Sequence, residues 1–285
     1  MIALYAAGIW AVFGASVTGL AINGSPLVPR AANCSREVLL EAADAYIAAQ
    51  TAGKLDPLQK VLASNWTYEE NNKVVADTKK GVLNKALKID HRRTIVDLVV
   101  CASFTELISA EAANPYVIGT QIRHGADNKV TLIDSVASTT GSWIFDAKKT
   151  LSYVQQEKWD PIPEGKRDSR AAIQAAGDAY LDMWSSSTAS NLVPWGTPCT
   201  RLEGSAYTGK GRPDDSCKAG IPSNHNQAPN TRRRYVIDES MGSVSILLVW
   251  EHMMMAADSH EFRLEGGKVR YIHTMTECGG KTCRL

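Results

Sequence analysis

One stretch of this chain occurs twice, and that repeat constrains the fold more than any other feature of the sequence. Between residues 35–69 and residues 169–203, eight positions are identical at a constant offset of 134, where ordinary composition gives roughly two. A period of this length is too long for a solenoid, so the sequence predicts one domain that was duplicated. The identical positions in the first copy are Ser35, Arg36, Ala42, Asp44, Ala45, Tyr46, Leu58 and Glu69, and the last of them is paired with Glu203.

The length of 285 residues also suggests two domains. Residues 159–168 contain two prolines and five charged side chains, which is typical of a linker. We therefore predict a first repeat at 34–158 and a second repeat at 169–285. The net charge of +1 argues against a general nucleic-acid or acidic-lipid binder, which leaves a small molecule or a protein as the partner.

The first 21 residues are mostly apolar and carry no charged side chain. Gly19 and Ala21 give the small-x-small pattern of a cleavage site, so residues 1–21 are predicted to be a secretory signal peptide. The alternative is a retained membrane anchor, for which the apolar core is short and interrupted by glycines. Three N-x-S/T sequons agree with secretion, so we expect a glycoprotein that is secreted or held in the secretory-pathway lumen. Their acceptors are Asn23, Asn33 and Asn65.

The even number of cysteines favours disulfide bonds in a secreted protein. None of the six has the C-x-x-C spacing of a zinc or redox site. Two lie in the first repeat and four in the second, so we expect pairing within each repeat, with free thiols as the alternative. The predicted bonds are Cys34–Cys101, Cys199–Cys217 and Cys278–Cys283.

Each repeat is predicted to begin with a helix and to continue as strands. Apolar residues at helical spacing between Arg36 and Gln50, an N-capping Ser35 and a terminal Gly53 predict the first helix. A helical turn at 57–62 and a hairpin at 66–72 follow, with strands at 94–100, 103–108, 116–123 and 130–136. The second repeat has a helix at 170–184 and strands at 200–203, 235–238, 243–250, 260–264 and 268–275. This order predicts the α+β class, with a curved antiparallel sheet wrapped on each N-terminal helix as a cone.

The order of elements, present twice over residues 34–285, resembles the NTF2-like or SnoaL-like superfamily. With the signal peptide and Cys34 at the start of the first helix, the chain is similar to a family of secreted fungal proteins. The hetero-Diels–Alderases of tropolone-sesquiterpenoid biosynthesis resemble that family. The resemblance implies two tandem cones and a cofactor-free enzyme of secondary metabolism. It carries over no functional residue.

Motifs of several other enzyme classes are incomplete in this sequence. There is no G-x-S-x-G elbow of an α/β-hydrolase. His260-Glu261 lacks the second histidine of a zinc protease. Residues 204–210 nearly form a phosphate-binding loop, but Gly211 stands where Ser or Thr should bind magnesium. We therefore predict neither a metal nor another cofactor.

The interior of a cone is the expected place for a small-molecule site, because a curved sheet encloses an apolar pocket with few polar groups. Alternation places Trp250 and His252 on one face of a strand at 246–252, and Tyr271 and His273 on one face of the last strand. If those faces meet inside the cone, these side chains could transfer protons, so His252, His273 and Tyr271 are the predicted catalytic residues. The predicted substrate-binding residues are Trp66, Tyr68, Glu69, Trp143, Trp184 and Trp250.

Each of these residues also has a structural interpretation. A lone His or Tyr on a strand is commonly a satisfied or surface residue, and tryptophans are commonly core residues. Asp97 and Asp238 occupy equivalent positions in the two copies, which favours a structural role for both. A duplicated domain commonly keeps one active site, and the sequence does not say which copy holds it.

Three functions are compatible with these features. The preferred one is a hetero-Diels–Alderase or related isomerase or dehydratase, which would dehydrate a hydroxymethyl tropolone and hold the quinone methide against a terpene alkene. Such a reaction needs orientation in an apolar pocket and one or two donors for a developing oxyanion. The alternatives are a secreted binding protein or effector without catalysis, and a structural pair of domains that dimerises through its sheet faces. The predicted partner is an apolar polycyclic or terpenoid molecule, with a second copy of the chain as a further candidate and neither nucleic acid nor membrane after signal cleavage.

Overall fold

The computed structural model describes residues 34–283. Its helices are α1 (Arg36–Ala52), α2 (Ala147–Val154), α3 (Arg170–Asp182) and α4 (Ser187–Leu192), with short 3₁₀ turns at Asp56–Leu58, Thr78–Lys80, Val82–Asn84 and Glu164–Lys166. The strands of the first half are β1 (Leu62–Glu70), β2 (Lys73–Val74), β3 (His91–Asp97), β4 (Ala102–Ser109), β5 (Tyr116–His124) and β6 (Val130–Ser138). Those of the second half are β7 (Trp195–Glu203), β8 (Ala206–Tyr207), β9 (Thr231–Asp238), β10 (Ser243–Trp250), β11 (Ala256–Glu265) and β12 (Lys268–Glu277).

The two halves have the same topology. The strand orders are β2-β1-β6-β5-β4-β3 and β8-β7-β12-β11-β10-β9, each a six-stranded curved sheet with a helix before it. We call α1 with β1–β6 the first cone and α3 with β7–β12 the second cone. The α+β class is confirmed, and the shared topology is consistent with a duplicated domain. The sheets are not wholly antiparallel as predicted, because β1 pairs with β6, and β7 with β12, in parallel.

The repeated Ser-Arg dipeptide begins each long helix. Ser35 accepts a hydrogen bond from the backbone N–H of Val38, and Ser169 does the same for that of Ala172. These hydroxyls satisfy N–H groups that a helix leaves unpaired in its first turn. The first helix ends at Gly53, whose φ of 61° is left-handed and suits a residue without a Cβ.

The arginine of each dipeptide joins the two cones. Arg36 reaches across to Asp238, with its Nη2 2.7 Å from Oδ2. Arg170 reaches the other way to Asp97, with its Nη1 2.7 Å from Oδ1. Each aspartate also accepts a hydrogen bond from a backbone N–H of the opposite cone. The structural role expected of the two aspartates therefore has a geometric basis in two equivalent ion pairs.

The sheets pack face to face through an apolar layer. Because this layer lies on one side of each sheet and a helix on the other, both faces of the central strands are buried. The sheet faces through which a structural dimer was expected are thus covered within the chain, and the homodimer stays a prediction. The layer includes Ile95, Phe104, Val136, Val236, Leu247 and Met275.

The ungapped register of the repeat is wrong by one residue at the first strand. Along the ladder of paired strands, Glu203 corresponds to Glu70 and not to Glu69. A one-residue slip moves a side chain to the other face of a sheet. Glu70 accepts a hydrogen bond from Tyr68 in the first cone, whereas Glu69 pairs with Arg232 of the second cone.

Several predicted strands have different ends in the structure. The strand expected at 94–100 ends at Asp97, because its Oδ1 accepts hydrogen bonds from the N–H groups of Val99 and Val100 and stabilises a turn. The strand expected at 200–203 begins earlier, at Trp195. The predicted helix at 170–184 ends at Asp182.

The cysteines form the three predicted pairs, Cys34–Cys101, Cys199–Cys217 and Cys278–Cys283. Disulfide bonds fit a secreted protein. None of the helices within residues 34–283 is long and apolar enough to span a membrane. Asn65 is exposed on β1, whereas the predicted signal peptide and the sequons at Asn23 and Asn33 lie outside the described residues.

Candidate functional site

The three predicted catalytic residues do not meet inside a cone. Strand β10 ends at Trp250, so His252 lies in the following turn with an exposed side chain. Tyr271 and His273 lie on the face of β12 that packs against the first cone and the linker. The alternation of side chains along the strand predicted correctly that these two residues share a face. Both faces of β12 are buried, one inside the second cone and the other against the first cone. The apolar pattern therefore did not show which face lines the cone interior.

His273 is held at that joint by two carboxylates. Its Nδ1 lies 2.9 Å from Oε1 of Glu106 on β4, and its Nε2 lies 2.6 Å from Oε2 of Glu157. Burial lowers the pKa of His273, but the charges of Glu157 and Glu106 outweigh it and raise the pKa to about 10. Burial raises the pKa of Glu106, yet Arg93 and His273 hold it well below its usual range. Since both ring nitrogens are engaged, this imidazolium joins the cones and has no nitrogen left for a ligand.

The predicted substrate-binding residues are divided between three places. Trp66 and Tyr68 pack in the core of the first cone, and Glu69 faces the second cone, where it pairs with Arg232. The remaining three line a cavity of about 430 Å³ in the second cone. These are Trp143, Trp184 and Trp250.

This cavity has aromatic walls. The ring centroids of Tyr180 on α3 and Trp184 lie 6.0 Å apart, and those of Trp184 and Trp250 lie 5.3 Å apart. Trp143, which follows β6, and the loop Ala219–Pro222 close other sides. The second cone thus encloses an apolar space of ligand size.

An imidazole–carboxylate pair lines the same cavity. His260 and Asp258 lie two residues apart on β11, and Nδ1 of the histidine is 2.5 Å from Oδ1 of the aspartate. The other oxygen of Asp258 accepts a hydrogen bond of 2.6 Å from the Thr276 hydroxyl. The imidazole is stacked between Trp250 and Phe262, at centroid distances of 5.5 and 5.7 Å. A carboxylate that accepts from Nδ1–H fixes the tautomer in which Nε2 carries a lone pair, and an Nε2 of this kind can act as a base.

Three donors around the cavity have no hydrogen-bonding partner within residues 34–283. They are Nε1 of Trp184, Nε of Arg201 and the hydroxyl of Thr274. The terminal nitrogens of Arg201 are occupied by Tyr180 Oη at 3.2 Å and the Ala219 carbonyl at 2.6 Å. Burial raises the pKa of Tyr180 to about 12, so the phenol is neutral. Each of these three donor atoms is itself buried, so the unpaired groups lie within the cavity wall and not on its open surface.

The pairing of strands β7, β12 and β11 places Glu203, Thr274 and His260 side by side. Thr274 is directly opposite Glu203 on one side and His260 on the other. Side chains at directly opposite positions have Cβ atoms about 5 Å apart. The unpaired hydroxyl of Thr274 therefore lies beside the imidazole.

The first cone carries no such pair at the equivalent positions. Tyr46, Thr120 and Ser135 correspond to Tyr180, His260 and Thr274 along the helices and ladders. Tyr46 Oη lies 2.7 Å from Thr120 Oγ1, which lies 2.8 Å from Ser135 Oγ. These three hydroxyls form hydrogen bonds with one another, so the imidazole–carboxylate pair occurs in the second cone and not at the equivalent positions of the first.

Asp258 and His260 carry a sequence signal of their own, which the predicted strand boundaries concealed. An Asp-x-His spacing within one strand places both side chains on the same face. The strand was predicted to begin at His260, which left Asp258 outside it and the histidine only as part of an incomplete zinc motif. Strand β11 begins at Ala256 and contains both residues. A strand predicted from Ala256 would have identified the pair.

Comparisons with known proteins give a domain without an assigned function. Residues 166–276 are similar to a family described as a domain of unknown function (DUF8021). The matched range covers most of the second cone, including the cavity residues on α3, β11 and β12. No curated protein matches the chain. Within residues 34–283, no group of three or more His, Cys, Asp or Glu side chains could hold a metal ion.

Proposed function

We propose that the second cone is the active site of an enzyme that transfers protons on an apolar small molecule, as an isomerase, dehydratase or cyclase. The observation that carries this proposal is the His260–Asp258 pair on the wall of an aromatic cavity. A histidine base with an orienting carboxylate contributes roughly 10²–10⁴-fold to proton-transfer rates.

The chemistry follows from the atoms around the cavity. Nε2 of His260 takes a proton from a C–H or O–H group of the substrate, and Asp258 stabilises the resulting imidazolium. The electron pair left behind moves onto an oxygen of the substrate, beside the new imidazolium. In an elimination, the imidazolium returns the proton to a departing hydroxyl group, which leaves as water. Both branches need only groups of this chain.

Each cone is, in this proposal, an NTF2-like fold, since an N-terminal helix precedes a curved six-stranded sheet with one parallel pair. The narrower form of the function is the hetero-Diels–Alderase reaction. Its first step is the loss of water from a hydroxymethyl tropolone, which is the same proton chemistry, and its second step needs aromatic walls that orient two apolar partners. The walls formed by Trp143, Trp184 and Trp250 support this form.

The test uses a probe whose only requirement is a base in an apolar pocket. In 5-nitrobenzisoxazole, removal of the ring C–H proton breaks the N–O bond and releases a coloured cyanophenolate. We expect His260→Gln to lower kcat/KM for this reaction by at least roughly 10²-fold. The matched control is His252→Gln, which changes an exposed histidine outside the cavity and should leave the rate unchanged. Equal rates for His260→Gln and the unsubstituted protein would contradict the proposal.

The cycloaddition requires its own experiment. The protein is mixed with a hydroxymethyl tropolone and a terpene alkene, and the mixture is followed by native mass spectrometry and chromatography. A coupled product that forms faster with the protein supports the narrower form. A ligand that is bound and released unchanged would instead favour the secreted binding protein.

A further inference from the structure

A groove opens on the surface of the second cone, apart from the cavity. Its volume is about 360 Å³, and none of the described residues that line it is buried. It lies between the last turn of α4, the start of β7 and the loop 218–225. Pro222 is the one lining residue that it shares with the cavity. We call this region the outer groove.

The walls of the outer groove are held in place without a ligand. Cys217 is fully buried and bonded to Cys199 on β7, so the neighbouring Lys218 is anchored to the sheet. At the other end of the loop, Nδ1–H of His225 donates a hydrogen bond of 2.5 Å to the Met183 carbonyl, just after α3. A site whose walls are fixed before binding loses little conformational entropy when a ligand arrives.

The charge of the outer groove is positive and unbalanced. Lys218 lines it, whereas no Asp or Glu among the described residues does. The ammonium group of Lys218 has no carboxylate partner within residues 34–283 and lies 5.7 Å from the ring centroid of Trp195. The cavity differs, because its Arg201 is paired with Glu203. An anionic group of a ligand therefore matches Lys218.

Several polar groups of the outer groove are free to bind a ligand. The side chains of Ser190, Asn191 and Ser223 form no hydrogen bond within residues 34–283. Nε2 of His225 has no partner in this part of the chain either, because the ring donates through Nδ1. Hydroxyl and amide groups both donate and accept, so together they match a ligand with several hydroxyl groups. Since these residues are half-buried or exposed, a ligand can reach them.

Trp195 gives the outer groove an aromatic wall. The residue is half-buried, and its ring packs against Tyr180 of α3 at a centroid distance of 6.0 Å and an angle of 70°. A pyranose ring has a face of C–H groups and a rim of hydroxyl groups. The C–H face packs favourably on an aromatic ring, whose face carries the negative part of the quadrupole. One aromatic residue, one cation and several hydrogen-bonding groups therefore match an acidic sugar.

We propose that the outer groove binds a hexuronic acid, a sugar that carries one carboxylate. The carboxylate lies beside Lys218, the C–H face packs on Trp195, and the hydroxyl groups bond to Asn191 and to the serines that line the groove. The sugar is either free or one unit of an oligosaccharide, because the groove is open on the surface. This site is separate from the His260–Asp258 pair, so it does not depend on the proposed proton transfer.

The first measurement is a titration followed by ligand-observed saturation-transfer NMR, which suits weak binding of sugars. Methyl β-D-glucuronide carries every proposed feature, methyl β-D-glucoside lacks the charge, and benzoate is a flat anion without hydroxyl groups. We expect the glucuronide to bind roughly 2- to 5-fold more tightly than the glucoside, which is the effect of an exposed ion pair. Benzoate should bind at least roughly 3-fold more weakly than the glucuronide, since it leaves the hydrogen-bonding groups unpaired. Equal Kd values for the glucuronide and either of the other compounds would overturn the assignment.

A trimer of the same uronic acid distinguishes the two sources of the sugar. A Kd equal to or above that of the methyl glucuronide means that a single sugar is the ligand, and a lower Kd means that the groove takes a chain. Both results keep the assignment of a hexuronic acid.

Substitutions test the individual contacts. Lys218→Gln removes the charge of an exposed side chain, so the Kd of the glucuronide should rise roughly 2- to 5-fold, to that of the glucoside, at an unchanged melting temperature. Trp195→Leu should raise the Kd of both sugars roughly 3- to 10-fold. The matched control is Lys148→Gln on α2, which changes an exposed lysine outside the groove and should leave both Kd values unchanged.

A second variant covers the case in which Trp195→Leu lowers the melting temperature. Asn191→Ala changes an exposed side chain without a partner within residues 34–283, so folding should be unaffected while the Kd of both sugars rises roughly 2- to 10-fold. A glucuronide Kd that stays the same in Lys218→Gln and in Asn191→Ala would refute the assignment of this groove to a hexuronic acid.

Discussion

Raising the pH from 7 to 9 should weaken the protein through the buried His273 at the joint between the cones. Its pKa rises from an ordinary 6.5 to about 10 in the folded state, because the carboxylates of Glu157 and Glu106 outweigh its burial. The folded protein therefore holds one more proton than the unfolded chain between these two values. The stabilisation is fully present below pH 6.5 and is lost as the pH rises through about 10.

The size of this effect follows from the two pKa values. Their separation, from 6.5 to about 10, corresponds to about 5 kcal/mol in total and about 1.4 kcal/mol for each pH unit within the window. The energy belongs to the ion cluster as a whole, so it is counted once and not again for each glutamate. It agrees with the loss of about 3–5 kcal/mol that is typical when one partner of a buried ion pair is removed.

The assay is urea unfolding with the disulfides intact, followed by tryptophan fluorescence at several pH values between 7 and 9. With a slope of about 2–3 kcal/mol per molar urea, the midpoint should fall by about 0.5 M for each pH unit. His252→Gln changes an exposed histidine and should keep this dependence, whereas His273→Gln should start from a lower midpoint and lose most of it. A midpoint that is constant from pH 7 to 9 in the unsubstituted protein would refute the reasoning.

Three further predictions concern the second cone. Asp258→Asn should lower kcat/KM for nitrobenzisoxazole roughly 10²- to 10⁴-fold, because the amide no longer fixes the tautomer of the neighbouring imidazole. The melting temperature should fall by no more than a few degrees. Met254 and Met255 have φ values of 56° and 60° in an exposed turn, so the double variant Met254→Asn, Met255→Gly should raise the free energy of unfolding by about 1–3 kcal/mol in urea titrations. Replacing Cys199 and Cys217 by alanine should cost about 3 kcal/mol of stability and raise the KM for nitrobenzisoxazole, since this bond holds the loop that closes the cavity. An unchanged KM would contradict that role of the loop.

Local features of the fold were predictable because neighbouring residues decide them. Ser35 and Ser169 begin helices because a hydroxyl before an apolar periodic stretch can accept from the free N–H groups of the first turn. Asn71-Asn72 forms the predicted hairpin because asparagine tolerates left-handed φ, here 52° and 63°. The duplication confined each bond to one copy, which assigned Cys34 to Cys101. Three pairings of the four second-repeat cysteines stayed possible, and the structure has Cys199–Cys217 and Cys278–Cys283.

The candidate site was predictable only in part. Trp143, Trp184 and Trp250 were expected near a ligand and line the cavity. Large aromatic side chains favour buried positions, and the cavity wall is one of the buried regions of this chain. His260 was not proposed, because its strand was predicted to start too late for Asp258 to share it.

The sequence alone determined that the chain is built twice, that each copy starts with a capped helix and continues as strands, and that cysteine pairs lie within one copy. Tertiary structure decided which face of β12 became the interior of a cone. Alternation grouped Tyr271 with His273, but it could not say whether their face of the strand meets the helix or the other cone. The physical reason is that the cones dock through their sheets, so both faces are buried. His273 and Tyr271 therefore lie on the face that contacts the other cone and the linker, where His273 pairs with Glu106 and Glu157. The threonines of β12, Thr274 and Thr276, lie on the opposite face and line the cavity.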